Sequence, residues 1–155
     1  MSTVVDGSAG ITFPNSTVQA SAGSVLQVVQ ATNTSQITTT STSLVTSGIS
    51  ATIIPKFSTS KIIAFVICSN IYAQAQANYF TLYRNSTNLS STSNLGQLYC
   101  NTANVLTNLS FNVLDTPATT SSTTYTIYFY ASSGTLTLNT GNSGLTTITL
   151  MEIAT

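Results

Sequence analysis

The chain has 155 residues, enough for one domain with its own core, and 42% of them are hydrophobic. Only 4% are charged, against about 25% in an ordinary soluble domain. The six charges (Asp6, Lys56, Lys61, Arg84, Asp115 and Glu152) cancel, which leaves neither electrostatic steering nor the Lys and Arg contacts that a phosphate backbone requires; nucleic acid is excluded as a partner.

Ser and Thr make up about a third of the chain, with Asn also abundant. These residues alternate with Val, Ile, Leu, Tyr and Phe at strand spacing, which disordered chains lack. No basic stretch followed by an apolar run opens the chain, so no signal peptide is expected. The longest apolar run, 62–68, is far short of the roughly 20 residues that span a bilayer, and no membrane is expected. The Asn-x-Ser/Thr triplets at Asn15, Asn33, Asn85, Asn88 and Asn108 follow from composition and are not read as glycosylation sites.

In chain order, residues 1–23 carry scattered apolar side chains between small-residue breaks. Val4, Val5, Ile11, Phe13 and Val18 are too far apart to form a face, which predicts an extended attachment arm. The β-domain, 24–155, begins with a strand over 25–30. A Thr-rich stretch over 37–45 supplies one or two more, and 49–54 ends at Pro55.

The segment 61–72 is the most apolar. Ile63, Phe65 and Ile67 lie on one face, with Ile62, Ala64, Val66 and Cys68 on the other, so it is expected to sit between layers or subunits. Strands follow over 78–84, 96–100 and 106–114, with a loop over 115–122 containing Pro117. The last three strands are 124–131, 135–139 and 146–153. Ser133-Gly134 reads as a tight hairpin between the first two, and 141–144 as a looser one. About nine or ten short strands without an amphipathic helix predict an all-β fold, a jelly-roll-like antiparallel β-sandwich.

The residues that carry most chemistry are missing. Without histidine there is no usual general base, imidazole ligand or Ser–His pair. Cys68 and Cys100 sit in apolar runs and read as free core thiols, too few for a zinc site. Of the carboxylates, Asp6 lies in the arm, Asp115 in a loop and Glu152 in the last strand, so a glycosidase pair within one chain is not expected. No catalytic, cofactor or metal site is expected. Glu152, between Met151 and Ile153, calls for a partner, with Arg84 or a neighbouring chain's lysine as candidates.

Aromatic residues cluster as Tyr72, Tyr79, Phe80 and Tyr83, and as Tyr125, Tyr128, Phe129 and Tyr130. Alternation puts Tyr125, Ile127 and Phe129 in the core and leaves Tyr128 and Tyr130 outside, for a subunit interface or a glycan. Trimer contacts are expected at Ile62, Ala64, Val66, Cys68, Tyr128 and Tyr130.

The segment 6–15 (DGSAGITFPN), running on to Thr17-Val-Gln19, resembles one found in tail-fibre-like phage proteins. The rest is similar to a C-terminal β-domain of phage virion proteins, particularly cyanophage and marine phage ones. It is carried by Leu26-Gln-Val-Val-Gln30, Ile53-Ile-Pro-Lys56, Ser60-Lys-Ile-Ile63, Leu114-Asp-Thr-Pro-Ala118, Thr124-Tyr125 and Ile148-Thr-Leu-Met-Glu-Ile-Ala154. The resemblance implies a homotrimeric virion surface protein assembled in a bacterial host's cytoplasm.

Two roles remain open: capsid decoration, with the arm lying on the major capsid protein, and a tail-fibre tip touching host surface glycan through loops 73–78, 89–95 and 121–122. The chain carries no shaft, which leads us to expect decoration.

Overall fold

The structure, a computed structural model, describes residues 4–6, 10–12, 14, 18–19, 24–74, 76–92, 94–101 and 104–155. Three short strands, β1 (Val4–Asp6), β2 (Gly10–Thr12) and β3 (Val18–Gln19), pair antiparallel with one another. The expected arm is therefore not one extended line: Val4, Val5, Ile11 and Val18 lie on strands that double back. Phe13 falls outside the described residues.

The domain after it is an all-β sandwich, with eleven strands among the described residues. They are β4 (Val25–Asn33), β5 (Ile37–Thr39), β6 (Val45–Ile53), β7 (Lys61–Ala73), β8 (Gln76–Arg84) and β9 (Thr87–Asn88). They continue as β10 (Gly96–Cys100), β11 (Val105–Asp115), β12 (Thr123–Ala131), β13 (Leu136–Leu138) and β14 (Thr146–Ile153). β6 begins earlier than its sequence suggests, because Ser47-Gly48 is not a break. Gly48, at φ +76°, forms a bulge inside the strand, which only glycine accepts readily.

One sheet is built on β7, which pairs with β11 along one side and with β14 and then β13 along the other. β4 and β5 pair in turn with β14 and β13. The second sheet runs β10–β8–β12–β6, with β9 also on β8. If β4/β5, β9/β10 and β13/β14 each count as one strand, the domain has eight. One sheet then reads first–eighth–third–sixth and the other second–seventh–fourth–fifth, the interleaving of a jelly roll.

Two expected hairpins take other forms. Ser133-Gly134, with Gly134 at φ +70°, carries the chain from β12 in one sheet to β13 in the other. Residues 139–145 interrupt one long strand, because β13 and β14 lie end to end along β7.

β4/β5 breaks at the same level, over 34–36, and β7 bulges there at Asn70 (φ 48°). Asn139 ties the level together. Its Nδ2 donates to Asn33 O, Asn33 Oδ1 and Ser35 O at 2.9, 3.1 and 3.1 Å, and its Oδ1 accepts from Thr146 Oγ1 at 2.9 Å. Asn70 Nδ2 donates to Thr140 O and Ser143 Oγ. Amide side chains thus satisfy the backbone groups that the interrupted ladder releases.

The core lies between the sheets. Tyr125, Ile127 and Phe129 of β12 and Phe80 and Leu82 of β8 meet Ile62, Ala64, Val66 and Cys68 of β7 and Ile148 and Leu150 of β14. Cys68 and Cys100 are free and buried, as expected.

Gly144 packs against this corner: a Cβ there would lie 2.6 Å from Asn139 Oδ1 and 2.8 Å from Asn139 Cα. Because the second contact is backbone, Gly144→Ala should destabilise the fold by roughly 1–3 kcal/mol. Thermal unfolding should show a midpoint several degrees lower; an unchanged midpoint would mean that the corner yields freely.

Candidate assembly surface

Strand pairing aligns a row of apolar residues across the outer face of the β7 sheet. Val28 of β4 pairs with Met151 of β14, Met151 with Ile63 of β7, and Ile63 with Leu114 of β11. Phe65 and Ile67 continue along β7 on the same face, 39% and 47% exposed, while Val28 and Leu114 are each 56% exposed. Phe65 and Ile67 also line a shallow depression with Ser110, Phe111 and Asn112. Around them stand neutral groups, among them Gln30, whose Nε2 donates to Thr149 Oγ1 at 2.9 Å. Lys61, two residues before Ile63 on the same face, borders the row at its charged end; a contiguous apolar patch of this kind is suited to burial against another protein surface.

Four of the residues expected at a trimer interface are not on that face. Ile62, Ala64, Val66 and Cys68 are 0–1% exposed within the single chain, so they are core residues and no other subunit can reach them. The faces of β7 are the reverse of the expectation. The opposite sheet sends Phe80, Phe129 and Tyr125 inward, which leaves room for small side chains on β7 and sends Phe65 and Ile67 outward. The two faces differ in side-chain size along the sequence, but that difference does not by itself say which of them is inside. Leu114 and Val28 join the patch only through strand pairing.

Tyr128 and Tyr130 do face outward, on the other sheet. Tyr130 stacks on Tyr79 with centroids 4.5 Å apart, and Tyr128 on Tyr83 at 4.0 Å. Thr81, paired with Tyr128 and flanked on its own strand by Tyr79 and Tyr83, is completely buried and donates to Asn88 Oδ1 at 2.6 Å. Burial, followed by the neighbouring Tyr79, holds the Tyr130 hydroxyl above its ordinary pKa. Tyr99 stands 65% exposed on the adjoining β10.

The domain's five charged residues gather at one end of the sandwich, where β4 begins and β8, β11 and β14 finish. On the inner face Gln27, Glu152, Ile62 and Asp115 form one row across four strands. The chain itself therefore aligns Asp115 and Glu152, contrary to the expectation that they stay apart. Two strand spacings put their Cα atoms about 9–10 Å from each other.

Both carboxylates are engaged. Arg84 Nη1 donates to Asp115 Oδ1 and the Tyr125 hydroxyl to Oδ2, each at 2.7 Å. Gln27 Nε2 donates to Glu152 Oε2 at 2.6 Å and the Lys56 amide to Oε1 at 2.7 Å. Glu152 is thus held by neutral donors of its own chain, and Arg84, expected as a candidate partner, pairs with Asp115 instead.

Burial raises the Tyr125 hydroxyl, and its bond to Asp115 adds to the rise. At Glu152 burial also pushes upward, but the Gln27 amide and the backbone N–H groups of Lys56 and Phe57 outweigh it and hold the carboxyl below its ordinary value.

The loops considered for glycan contact are not brought together. Ala73 closes β7 and Gln76 opens β8 at the uncharged end, 121–122 lie at the charged end, and Leu89 and Leu95 flank a segment midway along β8, their amides donating to Leu82 O and Phe80 O. Among the described residues no group of three or more His, Cys, Asp or Glu could hold a metal ion, and no helix is long and apolar enough to cross a membrane. No protein-family model matches the chain, and no curated protein matches it.

Because the Glu152 carboxyl titrates below its ordinary value, its contribution to stability is complete above that value and is lost as pH falls through the lower native one. Glu152→Gln should cost roughly 1–3 kcal/mol at pH 7, through donors left without a charged acceptor. Thermal unfolding from pH 7 to pH 3 should show the gap from the parent protein closing toward acid; a constant gap would contradict this account.

Proposed function

We propose that this chain is a non-enzymatic structural protein of a bacteriophage virion, a homotrimer that decorates the capsid. On this reading it assembles in the bacterial host's cytoplasm, and residues 1–23 anchor it to the major capsid protein on the virion surface. The observation that carries the proposal is the outward row Val28–Met151–Ile63–Leu114 with Phe65 and Ile67, set on an almost uncharged jelly roll. Repeated copies of one surface can bury such a face without charge pairing, and closed rings need matching patches on every subunit.

Two further features support attachment by the charged end. Residue 24 adjoins β4 at that end, and the Ser24 carbonyl accepts from the Ala154 amide at 3.0 Å. Ile54 and Phe57 stand 61% and 56% exposed beside Lys56 there, an apolar pair suited to a partner surface. A non-enzymatic role accords with the lack of histidine and with the donors that occupy both aligned carboxylates.

A second reading is a tail-fibre tip that touches host glycan. It is favoured by the stacked pairs Tyr79/Tyr130 and Tyr83/Tyr128 with exposed Tyr99, an amphipathic aromatic surface without charge.

Stoichiometry of purified particles separates the readings. Decoration requires hundreds of copies per particle, with robustness lost when the protein is stripped; a few dozen copies would sink it. In analytical ultracentrifugation the protein should sediment as a trimer or as multiples of a trimer. Phe65→Lys combined with Ile67→Lys should abolish the trimer and leave thermal unfolding nearly unchanged, since both side chains are already exposed in the single chain. A variant that stays trimeric would remove this face from the interface.

A further inference from the structure

Among the described residues, β11 alone of the four edges of the sandwich's two sheets is left unprotected. It has 11 residues and, among the described residues, pairs only with β7. Antiparallel pairing uses alternate residues, so every second residue of β11 turns its N–H and C=O away from β7. Edges are normally blunted by charge, proline, bulges or shortness. The β4/β5 edge is interrupted over 34–36, and Lys56 Nζ caps the Leu26 carbonyl at 3.2 Å. β6 carries the Gly48 bulge, and β10 has only 5 residues.

β11 has none of these devices. The irregularity opposite it belongs to β7, where Ser69 and Asn70 together face Asn108. Its one charge, Asp115, turns inward to Arg84 and Tyr125.

The sequence of β11, VLTNLSFNVLD, is nearly symmetric about Ser110. We propose that β11 pairs antiparallel with β11 of a second copy across a two-fold axis through Ser110. In this register Ser110 faces itself. On the outer face Leu106 meets Leu114 and Asn108 meets Asn112; on the inner face Leu109 meets Phe111 and Thr107 meets Val113.

A one-residue slip would put inner side chains on the outer face. A two-residue slip would place leucine against asparagine. Leu106 and Leu114, 62% and 56% exposed in the single chain, cover each other only in the symmetric register. That register also carries the outer row Val28–Met151–Ile63–Leu114 into the second copy. A two-fold contact of this kind is separate from three-fold association and can join one trimer to the next.

Cysteine cross-linking of the full chain tests the axis. Opposed residues of an antiparallel pair have Cα atoms about 4.5–5.5 Å apart, within disulfide range. Under mild oxidation Ser110→Cys should form a covalent dimer. Asn112→Cys alone should not, because Asn112 faces Asn108, whereas a mixture of Asn108→Cys and Asn112→Cys chains should. The native thiols are buried, and burial pushes Cys68 up to about 12, so background cross-linking is low.

Ser110→Lys places like charges face to face and should weaken the pairing at least tenfold in ultracentrifugation. The proposal is overturned if Ser110→Cys stays uncross-linked while Ser110→Lys associates like the parent, or if Asn112→Cys cross-links as readily as Ser110→Cys. Trimers that persist in Ser110→Lys leave the virion role untouched, and absence of the chain from particles leaves the two-fold pairing untouched.

Discussion

The pairing of β7 on both sides is the constraint from which the rest of the domain follows. Because β11 lies along one side and β14 and β13 along the other, the alternation of β7 decides which residues of three neighbouring strands face inward. Ile62 therefore carries Asp115 and Glu152 into the interior on either side of it, while Ile63 carries Leu114 and Met151 to the surface. The buried polar row and the exposed apolar row are consecutive residues of one register.

The near-absence of charge makes that register costly to violate and shapes how polar groups are satisfied. Where the ladder breaks, asparagine amides at positions 70 and 139 supply the missing donors. Where carboxylates are buried, each oxygen has a defined donor, and only Asp115 uses a cation for the purpose. The polar surface is made of hydroxyls and amides, which repel no neighbour. Such a surface opposes association weakly, and an apolar face or an open edge on it can be used for assembly.

Much of the architecture was legible along the chain. Alternation over 124–131 correctly assigned Tyr125, Ile127 and Phe129 to the core and left Tyr128 and Tyr130 outside. The all-β class and most strand positions could be read from periodicity. The faces of β7 could not be, because both are apolar and pattern alone does not say which is inside; the bulk of Phe80 and Phe129 across the core decided it. Ser133-Gly134 and 139–145 look like hairpin turns locally, yet one crosses between sheets and the other interrupts a strand, since a turn's residues do not specify its partners.

The sequence by itself determined the strand content, the free buried thiols and the scarcity of reactive side chains, all of which depend on composition and short-range alternation. Only the tertiary structure decided that Asp115 and Glu152 share a row, that Glu152 is held by neutral donors, and that Val28, Met151, Ile63 and Leu114 line up across four strands. Those relations join residues far apart in the chain through β pairing, and pairing register is set by the packing of the whole sandwich.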